Sequence, residues 1–219
     1  MSTRPVLHGY WRSSATWRVR LALNLKEIEY EYHSVHLVQD GGEQWKAAYR
    51  QLNPASEVPT LEIDGVVLAQ SLAIIEYLDE TRPAPALLPT DPVARARVRQ
   101  LAEQINASTQ PLQNLRVLLK LRDDFAADQS ARDAWAAHYI RVGLEAYEAL
   151  LERCSGRYSV GDEISMADCC LIPQVYNADR FGVDLSPMPR IRSICMSLSS
   201  HPAVVAAHPD VQPDAPSRG

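Results

Sequence analysis

The chain predicts a two-part fold, a small α/β domain followed by an all-helical domain. Three observations carry this expectation. Short strand-like runs alternate with helical segments over about the first eighty residues; Pro83, Pro85, Pro89 and Pro92 then crowd one stretch; and apolar residues recur at helical spacing from there on. The bulk figures agree with a globular protein, since 219 residues that are 46% hydrophobic and 22% charged are neither disordered nor collagen-like. A formal net charge of −5 argues against binding a phosphate backbone, so no nucleic-acid partner is expected. Neither an apolar leader at the start nor a run of about 18 apolar residues is present, and a cytoplasmic protein without a membrane partner is expected. Cys154, Cys169, Cys170 and Cys195 form no C-x-x-C pair and read as reduced, buried thiols.

Each element has its own signal. Val6 to Tyr10 reads as a strand, and after the turn Trp11-Arg12-Ser13 a helix begins with Ser14 as N-cap and Trp17, Leu21, Ala22 and Leu25 on one face. Ile28 to Leu37, rich in Tyr and Val, reads as a second strand ended by Gly41-Gly42. Trp45 to Leu52 is a short helix stopped by Asn53-Pro54, because a residue before proline is pushed out of the helical region. Pro59 to Ile63 and Val66 to Ala69 flank Asp64-Gly65, a two-residue hairpin signal, and Gln70-Ser71 opens a helix through Leu72, Ile75 and Leu78. The order β-α-β, short helix, β-β-α is that of a thioredoxin-like domain. Domains are therefore expected at 1–82 and 93–219, joined by a proline-rich linker at 83–92. In the second domain Val98, Leu101, Ile105, Ser108, Leu112 and Leu115 predict one long helix kinked at Pro111, and Trp135, Tyr139, Val142, Ala146 and Ala149 predict another. Ser165 and Asp168 form a capping box opening a helix that runs toward Arg180 with Pro173 inside it. Pro187, Pro189 and Pro202 bracket a further helix, and the tail from Pro209 to Gly219 is expected to stay unpacked and disordered.

Three places suit ligand chemistry. The turn before the first helix puts Ser13 and Ser14 at a helix N-terminus, where unpaired N–H groups and the helix dipole favour an anion and a hydroxyl can donate to a thiolate; either serine also serves simply as a cap. Since the turn holds no cysteine, an acting thiol must arrive with a ligand. Pro59, opening a strand after Val58, is a candidate cis peptide that leaves the Val58 main chain open to a peptide-like ligand; an edge-strand proline is the plainer alternative. Gln70-Ser71, at another helix start, suits a carboxylate or is a second cap. The six histidines form no metal-binding motif such as H-E-x-x-H, and no metal is expected.

The stretches Ser13-Ser14-Ala15-Thr16-Trp17-Arg18-Val19-Arg20, Leu52-Asn53-Pro54, Val58-Pro59-Thr60-Leu61, Gln70 to Leu78 and Gln110-Pro111-Leu112-Gln113-Asn114 together resemble the zeta-class glutathione transferases, a family that includes maleylacetoacetate and maleylpyruvate isomerases. Val160 to Glu163, Met166 to Asp168 and Val183 to Leu185 are similar too, so the resemblance runs from Leu7 to about Pro213. It implies the glutathione transferase fold, with an N-terminal thioredoxin-like domain and a C-terminal helical bundle, glutathione as cofactor, and a homodimer. It further implies a glutathione-dependent cis-trans isomerase of a maleyl keto acid, foremost maleylacetoacetate to fumarylacetoacetate in tyrosine and phenylalanine catabolism. Maleylpyruvate isomerisation, glutathione conjugation or dehalogenation of small α-halo acids, and a non-catalytic binding protein are the alternatives.

By this resemblance Ser14, with Ser13 beside it, stabilises the thiolate, Val58 and Pro59 meet the cysteinyl backbone, and Gln70 and Ser71 hold the γ-glutamyl carboxylate. Gln110 and Asn114 reach the ligand, and Arg12 and Arg180 clamp a dicarboxylate substrate; without the resemblance Arg180 is an ordinary surface arginine. Asp168 matches a structural cap. The chain departs from the pattern at Ala15, where many relatives carry Cys. That cysteine resembles an accessory group, so isomerisation remains open, whereas the departure tells against chemistry that leaves a disulfide or needs a protein thiol.

Overall fold

The computed structural model describes residues 4–216, which form two compact units: residues 4–87 together with 200–216, and Leu88–Ser199. In the first unit the elements run β1 (Val6–Gly9), α1 (Ser14–Leu25), β2 (Glu31–Ser34), α2 (Ala47–Leu52), β3 (Thr60–Ile63), β4 (Val66–Ala69) and α3 (Ser71–Thr81). The sheet order is β2-β1-β3-β4, with β1 parallel to β2 and antiparallel to β3, and β3 antiparallel to β4. Asp64 and Gly65 both take positive φ, 52° and 79°, as a two-residue hairpin turn requires. Gly9 ends β1 against α1: a Cβ there would lie 2.3 Å from the Thr16 methyl, so a larger residue would push the helix start away. Lys26, just after α1, buries its ammonium and donates to Asp79 Oδ1 at 2.9 Å and to the carbonyls of Arg82 and Pro85 at 2.8 Å. All three of its protons are thereby satisfied, and the chain leaving α3 is tied to the end of α1.

The second unit holds α4 (Pro92–Asn106), α5 (Leu115–Phe125), α6 (Gln129–Leu151), α7 (Met166–Arg180) and α8 (Pro189–Leu198). Val98, Leu101 and Ile105 of α4 are buried, as are Ile140, Leu144 and Tyr147 of α6 and Ile191 and Ile194 of α8. The capping box of α7 is present: Asp168 Oδ2 accepts from the Ser165 N–H and hydroxyl at 2.8 and 2.9 Å, and its Oδ1 accepts from the Ser159 N–H at 2.9 Å.

Four expectations are corrected. The long helix kinked at Pro111 is two helices: α4 ends at Asn106, a 3-10 turn spans Gln110–Gln113, and Asn114 caps α5 by accepting the Arg116 N–H at 3.2 Å. Pro111 lies in the first turn of the 3-10 segment, where its missing N–H costs nothing. In α6 the expected stripe is out of phase, because Val142, Ala146 and Ala149 are exposed while Ala136, Ile140, Gly143, Leu144 and Tyr147 are buried. Apolar residues occupy both faces of that helix, and Gly143 marks the packed one: a Cβ there would meet the Thr109 side chain at 2.0 Å. The second strand is only Glu31–Ser34, shorter than the apolar run that announced it.

Finally, the tail does not stay loose. A short helix α9 (Pro202–Ala207) packs on α1, and a 3-10 turn at Pro209–Val211 leads to Asp214, which bonds to three groups of the first unit. Residues 217–219 of the expected tail lie outside the described residues. With α3 also against it, α1 is covered widely enough that every residue from Thr16 to Leu23 is buried, including Arg18 and Arg20.

Candidate functional site

Strand register places three loops at one edge of the first unit. β1 leaves the sheet at Gly9, β3 enters opposite His8 at Thr60, and Thr60 pairs with Ala69 at the end of β4. Ser13-Ser14, Val58-Pro59 and Gln70-Ser71, all immediately beyond these strand ends, therefore share that edge, along with the N-termini of α1 and α3. Two helix N-termini at one edge make it favourable for negative charge.

The two serines are not equivalent. Ser13, not Ser14, is the N-cap of α1: its backbone is extended (φ −64°, ψ 119°) and its hydroxyl oxygen accepts the Thr16 N–H at 3.2 Å. The expected cap at Ser14 is thus displaced by one residue, because the Ser13 N–H to Tyr10 carbonyl turn, at 3.0 Å, ends a position earlier. Ser14 is the first helical residue, is 8% exposed, and makes no side-chain hydrogen bond among the described residues. Its hydroxyl and the N–H groups of Ser14 and Ala15 remain available to an anion, the Thr16 N–H being taken by the cap.

The Val58–Pro59 bond is cis. Glu57 is anchored through its carbonyl, which accepts from the Tyr49 hydroxyl and the Asn53 amide, both at 2.7 Å. Val58 itself is half-buried, and its N–H and C=O have no hydrogen-bond partner among the described residues. Such an edge can pair with an extended peptide backbone. Gln70 stands at the N-cap of α3 with φ 70° and ψ 112°, a left-handed conformation costly for a side-chain-bearing residue, and its side chain makes no capping bond. Ser71 is 3% exposed and accepts a bond from Arg18 Nη1 at 3.1 Å. With that lone pair occupied, the Ser71 proton is directed elsewhere, as a donor to a carboxylate.

Arg12 stacks its guanidinium 5.3 Å from the Trp11 ring centre and makes no hydrogen bond or ion pair among the described residues. The protein's own sulfurs are poor nucleophiles: Cys169 and Cys170 are fully buried, burial, with the Asp168 charge behind it, pushes the Cys195 thiol up to about 12, and burial raises Cys154 as well. A thiolate at this edge comes from a ligand.

The remaining expected residues belong to the second unit. Gln110 opens the 3-10 turn, and Asn114 spends its side-chain oxygen as the cap of α5. Arg180 ends α7, 3.4 Å from Asn177 Oδ1 and with its guanidinium 5.1 Å from the Phe181 ring centre. Three residues bonded to this edge were not read from the sequence: Arg18 behind Ser71, and Arg20 and Asp214 behind Trp11. Two arginines spaced i, i+2, and so on opposite sides of a helix that carries no other charge, were the available signal for the first two.

Residues 12–81 match the family model described as glutathione S-transferase, N-terminal domain. The chain is 50% identical to the maleylacetoacetate isomerase of Rattus norvegicus over 98% of its own length and 96% of that protein's. It is 47% identical to the maleylpyruvate isomerase of Ralstonia sp, over 95% of this chain and 98% of that one. Among solved structures, it matches a holo maleylpyruvate isomerase described as a bacterial zeta-class glutathione transferase (TM-score 0.93, 46% identity, 96% and 100% coverage). It also matches the maleylacetoacetate isomerase of Anaeromyxobacter dehalogenans with glutathione in its active site (TM-score 0.86, 48% identity, 97% and 98% coverage).

Proposed function

Because the chain belongs to the zeta class of the glutathione transferases, the family of the maleylacetoacetate isomerases, we propose that it is a glutathione-dependent cis-trans isomerase converting maleylacetoacetate to fumarylacetoacetate. The observation that carries this reading is the Ser14 hydroxyl, left unengaged at the start of α1 because Ser13 does the capping.

The residues of the edge fit glutathione. The unpaired Val58 main chain takes the cysteinyl backbone beside Pro59, the α3 N-terminus with Gln70 and Ser71 takes the γ-glutamyl carboxylate, and Ser14 donates to the sulfur. Bound there, glutathione supplies a thiolate that adds reversibly to an electron-poor double bond, which lets the bond turn without consuming the cofactor. Ser14 and the first-turn N–H groups hold the sulfur as its anion at neutral pH. Arg12, kept in place by its stack on Trp11, offers a two-pronged guanidinium to a substrate carboxylate and to developing enolate charge. Gln110, Asn114 and Arg180 are assigned to ligand and substrate on the sequence resemblance. Ala15, on the first turn of α1, brings no thiol, so the sulfur of the cofactor carries the chemistry alone.

The reading extends to a homodimer working in the cytoplasm on a dicarboxylate keto acid. Exposed Val66 and Val67 on the edge strand β4 support self-association, and four free cysteines support a reducing compartment. Among the described residues no helix is long and apolar enough to cross a membrane. The test is conversion of maleylacetoacetate under catalytic glutathione, run beside Ser14→Ala. Turnover that needs glutathione, leaves it unconsumed and collapses in the variant supports the isomerase. Stoichiometric loss of glutathione with an α-halo acid, and none of the isomerisation, refutes it.

A further inference from the structure

The C-terminal segment reaches the serine turn by two routes. Asp214 Oδ2 accepts the Trp11 N–H at 2.9 Å, and the same oxygen accepts from the Ser34 hydroxyl at 3.0 Å and the Tyr32 hydroxyl at 3.2 Å, which fasten it to β2. On the other side of the same residue, Arg20 Nη2 donates to the Trp11 carbonyl at 2.8 Å, while Arg20 Nε donates to the Ala207 carbonyl at the end of α9, at 3.3 Å. Gln212 donates to the carbonyls of Ala206 and His208 at 3.0 and 2.9 Å, so the turn between α9 and Asp214 is itself braced. Trp11 is thus gripped at both main-chain groups, directly before Arg12, Ser13 and Ser14.

We propose that Asp214 is a positioning residue for the reaction: through Trp11, the returning segment 200–216 sets the place from which Ser14 and Arg12 meet their ligands. The charges suit the task. Asp214 and Arg20 attract one another, and Tyr32 lies against both; among the described residues Asp214 Oδ1 and Arg20 Nη1, both buried, have no hydrogen-bond partner. Tyr32 remains a donor across the neutral range, since burial, and then the Asp214 charge, raise its hydroxyl far above the ordinary value. A displacement of the turn by about 1 Å is enough to cost one to two orders of magnitude in rate.

This inference rests on the isomerase reading, and the test separates the two. Asp214→Ala is expected to keep the fold by circular dichroism and to keep glutathione affinity within about threefold. Its kcat should fall at least about tenfold, the thiol of bound glutathione should titrate about one unit higher by its ultraviolet thiolate absorbance, and hydrogen exchange at residues 11–15 should speed up about tenfold. Asp214→Asn, whose amide oxygen still accepts the Trp11 N–H, should lie nearer to wild type on all three. A folded alanine variant with wild-type kcat, titration and exchange overturns the proposal, as does an asparagine variant no better than alanine. Should alanine prevent folding, Asp214→Glu decides: a slower kcat and faster exchange support the clamp, and wild-type values for both overturn it. A wild-type chain without glutathione-dependent turnover refutes the isomerase reading instead, and the exchange comparison still reports whether Asp214 holds the turn.

Discussion

At the scale of single residues, adjacent serines divide two tasks that a sequence cannot apportion. Ser13 caps the helix and Ser14, its first residue, keeps a spare hydroxyl, because one turn of main chain, Tyr10 to Ser13, decides which of them is the cap. Ser13→Ala should therefore act on stability, lowering it by about 1 kcal/mol in a denaturant titration while leaving most of kcat. Ser14→Ala should do the reverse, with kcat/KM down about a hundredfold and the melting temperature nearly unchanged. Equal kinetic losses would place the donor role on both. Arg180, at the end of α7, is assigned to the substrate on the resemblance: Arg180→Ala should raise KM for the keto acid about tenfold and leave glutathione affinity as it was, by isothermal titration. Loss of both affinities together would remove it from substrate binding.

At the scale of elements, the hairpin and the helix that follows it are latched by a single turn residue. Asp64, at the tip between β3 and β4, accepts from the Tyr77 hydroxyl at 2.8 Å and from Arg82 at 2.8 Å. Those bonds, the Tyr77 hydroxyl first and Arg82 next, hold its carboxyl below the usual range. A carboxyl with a lowered folded-state value stabilises the fold above its unfolded value, and that contribution disappears as pH falls through the lower one. Wild type should thus lose its melting-temperature advantage over Asp64→Asn below about pH 4, an effect of only about 1–2 °C because the pair is partly exposed. A difference that persists to lower pH would mean that the latch does not depend on charge. The helix α1 teaches a different lesson, for its apolar face at Trp17, Leu21 and Ala22 was legible, whereas the burial of Arg18 and Arg20 was not. Amphipathic spacing describes a helix covered on one side; this one is covered also by α9, from the far end of the chain.

At the scale of the whole molecule, the closing segment is part of the first unit's structure. Val204 of α9 is 7% exposed, and Val204→Asp would bury an unpaired charge there. Stability of the first unit should fall by about 2–4 kcal/mol, with hydrogen exchange accelerated in α1 before α6. Acceleration of both at once would mean that α9 is not specifically tied to α1.

Much of the fold was determined by local signals in the sequence: the Asp64-Gly65 hairpin, the Asn53-Pro54 stop, the Ser165–Asp168 capping box and the apolar stripe of α4 are all choices that a few neighbouring residues make through φ restrictions and short hydrogen bonds. The family, and with it the cofactor, was legible in ordered motifs. What only the tertiary structure decided depends on pairings between distant parts of the chain. Strand register brings Ser14, Val58 and Ser71 to one edge, the phase of α6 is set by Gly143 against Thr109, and a polar, proline-rich tail finds its place because Asp214 meets Trp11, Tyr32 and Ser34. Composition marked that tail as unable to build a core of its own. It does not need one, since hydrogen bonds to a surface already folded are enough to hold it.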